Sequence, residues 1–104
     1  MSVFVYNDRL GIEVPEFDIP FEQFPLQERL HIIEVWESIR GNIPSKIMDL
    51  EREIVIRLYD LGEEDNFEAS CQINTDIAEL ASIINDLLIW YRVSADVTDE
   101  KRHL

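Results

Sequence analysis

The chain is poor in cysteine, glycine and basic side chains. Among 104 residues it has one cysteine, three glycines, and nine lysines and arginines against 22 aspartates and glutamates. The single Cys71 excludes an internal disulfide. No apolar run approaches the roughly 20 residues that a membrane span needs, and the first residues lack a basic segment followed by an apolar one. These absences predict a reduced, cytoplasmic protein without a membrane segment.

The shortage of basic residues also limits the partners. Nucleic acids and anionic membranes are bound by clustered lysines and arginines, and a chain with a net charge of −13 and no such cluster predicts neither. A basic protein partner is compatible with this charge. Since 46% of the residues are hydrophobic, the acid excess does not predict disorder, and the length predicts a single domain.

The spacing of apolar residues divides the chain into three segments. Residues 1–24 are an extended N-terminal arm in which prolines recur, with a possible short hairpin that turns at residues 7–11. Residues 25–93 have helical spacing and form the predicted helical bundle. Residues 94–104 are polar and unpatterned, which predicts a flexible tail.

The helical region predicts three helices, at roughly 25–40, 45–61 and 66–93. Gly41 is placed just past the first helix, and Asp65 with Glu68 has the form of a capping box for the third. Linkers of about four and five residues make successive helices antiparallel neighbours. The predicted fold class is therefore all-α, an antiparallel three-helix bundle with a long C-terminal helix.

The apolar residues outnumber what one such bundle can bury. The third helix carries a heptad seam in steps of four and three, and the second helix has an extra apolar row a quarter-turn from its main stripe. This surplus predicts a homodimer or higher oligomer, most simply a twofold dimer with a four-helix core. The predicted interface residues are Met48, Val55, Tyr59, Ile73, Ile77, Leu80, Ile84, Leu87, Trp90 and Tyr91.

The aromatic side chains of the arm have two interpretations. Phe17, Phe21 and Phe24 alternate with acids, as in a docking peptide that enters a groove on a partner. Alternatively, the arm is a strap across a second face of its own helices, and this interpretation is favoured because so many exposed aromatics would be costly. Trp36 falls within the apolar arc of its helix and is predicted to be core.

An acidic row on the long helix is the candidate for chemistry. Asp76, Glu79 and Asp86 share one flank of the seam, and Glu51 and Glu53 of the second helix are placed to face them. In helix count, acidity and the stretch at 83–91 the chain is similar to all-α nucleotide pyrophosphohydrolases, and this resemblance implies magnesium held by the carboxylates.

The chain departs from that family at the metal motifs. Ile83 stands where a glutamate of E-x-x-D is required, and neither Glu51 nor Glu53 has an acid three residues later. Glu28 and His31 have the spacing of two metal ligands on one helix, but the chain has no second copy of this pair. We therefore expect no cofactor and no catalytic residue, and Cys71 in its acidic surroundings is not an activated nucleophile.

The sequence thus predicts a non-enzymatic helical protein-interaction or regulatory module that acts as a homo-oligomer. Two alternatives belong to other classes. One is a magnesium-dependent nucleotide hydrolase that uses the acidic row, and the other is an acidic mimic of DNA, suggested by the clustered acids of residues 62–76.

Overall fold

The computed structural model describes residues 3–93, so the predicted tail at residues 94–104 lies outside the described part of the chain. The described residues are mostly helical, with a short antiparallel sheet of two strands near the N-terminus. None of the helices within residues 3–93 combines the length and the hydrophobicity that crossing a bilayer requires.

The predicted hairpin near the N-terminus is confirmed. Strand β1 (Phe4–Asn7) pairs antiparallel with β2 (Ile12–Pro15), and Asn7 lies opposite Ile12. The Asn7 side-chain oxygen accepts a hydrogen bond from the backbone N–H of Leu10. Gly11 has a φ of 70°, a left-handed conformation that residues with a side chain rarely adopt. These two residues close the turn.

The aromatic residues of the arm pack on one another. A 3-10 turn at Phe21–Gln23 buries the Phe21 side chain. The Phe17 ring lies 5.9 Å from that of Phe21 and 5.6 Å from that of Phe24, measured between ring centroids. The Phe21 side chain is therefore buried within its own chain.

Only one residue separates the first two helices. Helix α1 (Leu26–Gly41) and helix α2 (Ile43–Glu63) flank Asn42, whose φ of −91° and ψ of −9° are close to helical. The expected four-residue linker and the left-handed Gly41 are wrong, since Gly41 is the last residue of α1. Pro44 has no N–H to donate to the Arg40 carbonyl, and this interrupts the helical ladder without ending it.

Helix α3 (Phe67–Tyr91) follows a short turn and runs back along α2. Its N-cap is Asn66, whose side-chain oxygen accepts a hydrogen bond of 3.0 Å from the N–H of Ala69. The expected capping box at Asp65 and Glu68 is therefore wrong, since the cap lies one residue later and Ala69 has no side-chain acceptor to complete a box. Asparagine caps as well as aspartate, so the local sequence does not distinguish the two starts.

The antiparallel three-helix bundle is not confirmed, because only α2 and α3 lie side by side along their lengths. Helix α1 extends from the start of α2, packs on β2, and meets only the last turn of α3. There the Trp36 and Trp90 rings stack edge to face at 5.7 Å, and the Trp36 indole N–H donates to the Val93 carbonyl. The molecule is elongated, 59 × 30 × 20 Å.

The buried residues are concentrated where α1, the β-hairpin, the start of α2 and the end of α3 meet. We call residues 3–50 and 79–93 the base, and residues 51–78, the far part of α2 and α3, the outer hairpin. Every buried side chain of the described residues lies in the base. These side chains are Leu10, Ile12, Phe21, Ile32, Trp36, Ile43 and Leu87.

Candidate interaction surface

The outer hairpin exposes a dense set of large apolar side chains. Tyr59 is 70% exposed and Phe67 is 80% exposed, and Val55, Ile56 and Leu58 are each more than half exposed. Isolated exposed apolar residues are ordinary, but a contiguous group is typical of an interaction site. By helical spacing, Val55, Leu58, Tyr59 and Phe67 lie on one side of the hairpin, and they form a surface that the described part of the chain leaves uncovered.

The apolar residues in the seam between α2 and α3 are not fully buried either. Ile54 and Leu61 of α2 and Ile73 and Leu80 of α3 point into the seam by helical spacing, yet all four are only half-buried. No residue from 44 to 86 is fully buried. Within residues 3–93 no third layer covers the hairpin on the side of Val55, Leu58 and Tyr59, since these side chains are exposed.

By helical spacing, the hairpin formed by α2 and α3 has two flanks that differ in composition. At about 100° per residue, one flank of α2 and the matching flank of α3 turn to the same side of the seam, because the helices are antiparallel. We call this surface the open face. It comprises Met48, Val55, Leu58 and Tyr59 of α2 and Ile77, Ala81, Ile84 and Leu88 of α3.

The open face carries almost no charge. On α3 the other residues of this flank are Phe67, Ser70, Asn74 and Asn85, so none is acidic or basic. On α2, the charged residues of this flank are Glu51 and Arg52, seven residues before Leu58 and Tyr59, and their charges have opposite signs. In a chain with 30% charged residues, such a face is distinct from the rest of the surface.

The opposite flank of the hairpin is charged and internally paired. The Arg57 guanidinium donates to Asp76 of α3 at 3.1 Å and to Glu53 of α2 at 3.3 Å. The Gln72 amide donates to the other Asp76 oxygen at 2.9 Å. Arg57 and Asp76 are both about one-third exposed, so this ion pair joins the two helices beside their apolar seam.

Arg9, at the turn of the β-hairpin, binds the same flank of α3 within the base. Its guanidinium donates to Asp86 at 2.6 Å, to Glu79 at 3.1 Å and to the Ser82 hydroxyl at 2.6 Å. The hydrogen bond to Asp86 is the main cause that raises the pKa of Arg9 above its ordinary value. The β-hairpin is thereby fixed to the charged flank, and the open face stays uncovered.

Arg9 and Arg57 form ion pairs with carboxylates that the sequence suggested as metal ligands. Arg9 holds Glu79 and Asp86, and Arg57 holds Asp76 together with Glu53. Glu51 lies on the open-face side of α2 by helical spacing. Within residues 3–93 no group of three histidine, cysteine, aspartate or glutamate side chains is placed to hold a metal ion.

The structure divides the ten predicted interface residues into three groups. Leu87 is fully buried in the base, where it packs with Leu10, Ile12 and Ile43. Trp90 is half-buried against Trp36, and Ile73, Ile77, Leu80 and Ile84 are half-buried along the seam. The remaining four, Met48, Val55, Tyr59 and Tyr91, are exposed.

Three exposed residues and two arginines were not singled out from the sequence. Leu58 lies at the edge of the main apolar stripe of α2, and Phe67 is the first residue of α3. Ile56 lies on the far side of α2, away from both the seam and the open face. Arg9 binds partners more than 70 residues away, which no local pattern predicts.

No protein-family model, no curated protein and no solved structure matches this chain.

Proposed function

We propose that the protein is a non-enzymatic helical interaction module that works as a homodimer joined through the open face. The main support is a contrast between sequence and burial. Helix α3 carries an unbroken apolar seam, and yet no residue from 44 to 86 is fully buried. A two-helix hairpin has one interface and cannot bury two apolar rows. A second hairpin laid against the open face would supply the missing layer.

The charge distribution favours a second copy as the occupant. Two chains with a net charge of −13 each repel one another unless their acids face outward. When open face meets open face, the flank that carries Asp76, Glu79 and Asp86 stays on the outside. The contact surface is then almost free of charge, as the centre of a homodimer interface usually is.

The dimensions of the open face suit a stable dimer. Met48 and Val55 to Tyr59 on α2, and Phe67 to Leu88 on α3, extend over about 30 Å of helix. Two helix diameters make the face about 20 Å wide, so its projected area is roughly 600 Å². The protruding side chains add to this area. A standard stable interface buries about 800 Å² on each partner. Twofold symmetry would make it a four-helix core.

The outward acids give the dimer its second proposed property, a preference for a basic protein partner. At the tip of the hairpin, Asp60, Glu63, Glu64 and Asp65 are exposed and close in sequence, and α2 ends there. The negative end of the helix dipole adds to their charge. Such a field steers a basic partner and weakens with salt.

The ion pairs of the acidic row give no support to a metal-dependent hydrolase. Magnesium requires several oxygen ligands held together, whereas Arg9 and Arg57 neutralise the carboxylates that would provide them. The clustered acids of residues 62–76 fit a DNA mimic no better than any acidic surface.

The dimer is tested by energy transfer between labelled subunits. Cys71 is the single cysteine and is exposed, so one batch can be labelled there with a donor dye and another with an acceptor. We expect energy transfer to appear on mixing and to be lost in Val55→Asp, which puts a charge in the open face.

Ile56→Asp is the matched control, because Ile56 is the next residue of the same helix and is 57% exposed against 65% for Val55. We expect Ile56→Asp to keep the energy transfer. Equal transfer in both variants, or none in the unaltered protein, would exclude the proposed interface.

A further inference from the structure

A cavity in the base, lined by no residue of α2 or α3, is independent of the open face. It lies between the β-hairpin and α1 and has a volume of about 540 Å³. Val3 of the chain start, Phe24 before α1, and Ile32 and Val35 of α1 form its apolar walls. Small-molecule sites have this size and this apolar character.

The ionic groups at the cavity are of one sign. Glu13 of β2 and Glu28 of α1 line it, and its lining includes no lysine and no arginine. Within residues 3–93 neither carboxylate forms an ion pair or a hydrogen bond. This differs from the acidic row on α3, where the arginines of the chain itself neutralise the acids. His31 and Gln27 complete the polar part of the lining.

We infer that this cavity binds a small organic cation, an apolar body that carries one ammonium group. The apolar walls bury the body of the ligand, and Glu13 and Glu28 approach the ammonium from the two elements that enclose the cavity, β2 and α1. Glu13 and Glu28 are exposed, so a neutral ligand of the same shape leaves their carboxylates to water and gains no attraction from them, whereas an anionic one is repelled. The selectivity of the cavity therefore lies in the charge of the head group.

The experiment compares three probes that share an apolar body and differ in the head group. They are 4-phenylbutylamine, 4-phenylbutan-1-ol and 4-phenylbutanoate. Each is titrated into the full chain at pH 8, where the amine is charged, and binding is followed by two-dimensional NMR of the backbone amides. We expect the amine to shift the amides of Ile32 and Val35 and to bind about fivefold more tightly than the alcohol, since partly exposed ion pairs contribute modestly. The carboxylate is expected to bind more weakly than the alcohol.

The double variant Glu13→Gln with Glu28→Gln removes the charge and keeps the shape of the cavity. We expect it to bind the amine and the alcohol equally. Glu34→Gln with Glu63→Gln removes the same number of charges away from the cavity, and it should keep the preference for the amine.

Three results would overturn the inference. The first is that the amine shifts no cavity amides up to millimolar concentration. The second is that all three probes bind the unaltered protein equally. The third is that the control double variant also loses the preference for the amine. This result would show that the preference depends on the net charge of the chain.

Discussion

The base and the outer hairpin use apolar side chains in opposite ways. In the base, the β-hairpin and α1 close around the start of α2 and the end of α3, so that Trp36, Ile43 and Leu87 are almost completely buried. In the outer hairpin, two helices with an equally regular apolar pattern have only each other, and Val55, Tyr59 and Phe67 remain exposed. The base thus has a buried core within one chain, whereas the outer hairpin has none.

This difference locates the working surface of the molecule. The radius of gyration is 18.1 Å, whereas a compact chain of this length has about 13 Å. The additional length comes from helices that extend beyond their core. An isolated helical hairpin without a third layer gains little stability from its own packing, and a second subunit would provide that layer.

The largest effect is expected in the base, from Trp36→Ala. Removing this indole empties a fully buried site and deletes the hydrogen bond to the Val93 carbonyl. We expect a loss of about 3–5 kcal/mol in the free energy of unfolding, measured by urea denaturation. Leu30→Ala on the same helix, where the side chain is half exposed, should cost no more than about 0.5 kcal/mol. Similar losses in both variants would contradict the description of the base as the core.

The next effect is expected in the outer hairpin, from Tyr59→Ala. The side chain is largely exposed in one chain, so its removal should weaken the dimer rather than the subunit, by about 2 kcal/mol in the free energy of association. The measurement is the dissociation constant obtained by dilution of the labelled protein. Tyr6→Ala removes a similarly exposed tyrosine of the base and should leave this constant unchanged. The same weakening in Tyr6→Ala would remove the distinction between the two regions.

Replacing glycine by alanine should change the free energy of unfolding in opposite directions in the two regions. Gly11→Ala forces a side chain into the left-handed turn of the base, 3.3 Å from the Lys46 amine, and should cost about 1–2 kcal/mol. Gly62→Ala, in α2 of the outer hairpin with open space around it, should stabilise by about 0.5 kcal/mol. Thermal unfolding measures both. A stabilising Gly11→Ala would show that the turn does not hold the conformation described.

The smallest effect is expected from Arg9→Gln, which releases the β-hairpin from α3. We expect faster hydrogen exchange of the β1 and β2 amides, with exchange at residues 51–63 unchanged. The pKa of Arg9 is raised in the folded protein, so its contribution is complete below the ordinary arginine pKa and is lost only as pH rises through the higher folded value. The difference between Arg9→Gln and the unaltered protein should therefore be the same at pH 6 and pH 9.

Local sequence pattern predicted the elements better than their arrangement. The hairpin turn at Asn7 and Gly11, the three helical segments and the core position of Trp36 follow from spacing and turn chemistry. The junction at Asn42 was not predicted, because Pro44 is equally compatible with a loop and with the first turn of a helix. The bundle depended on that junction, and a linker of one residue leaves α1 no room to fold back along α2.

The candidate site shows the same limit. The apolar row with Met48, Val55 and Tyr59 is visible in the sequence, since it depends on periodicity alone. The partners of Asp76, Glu79 and Asp86 are not, because Arg9 approaches from the other end of the chain and Arg57 from another helix. An acidic row appears unpaired in a sequence until long-range contacts are known.

The molar mass in solution tests the central claim most directly. Sedimentation equilibrium of the unaltered protein over 5–200 µM should give, at the upper concentrations, about twice the chain mass of 12.3 kDa. A mass of one chain throughout this range would contradict the account, because the open face would then stay exposed to water.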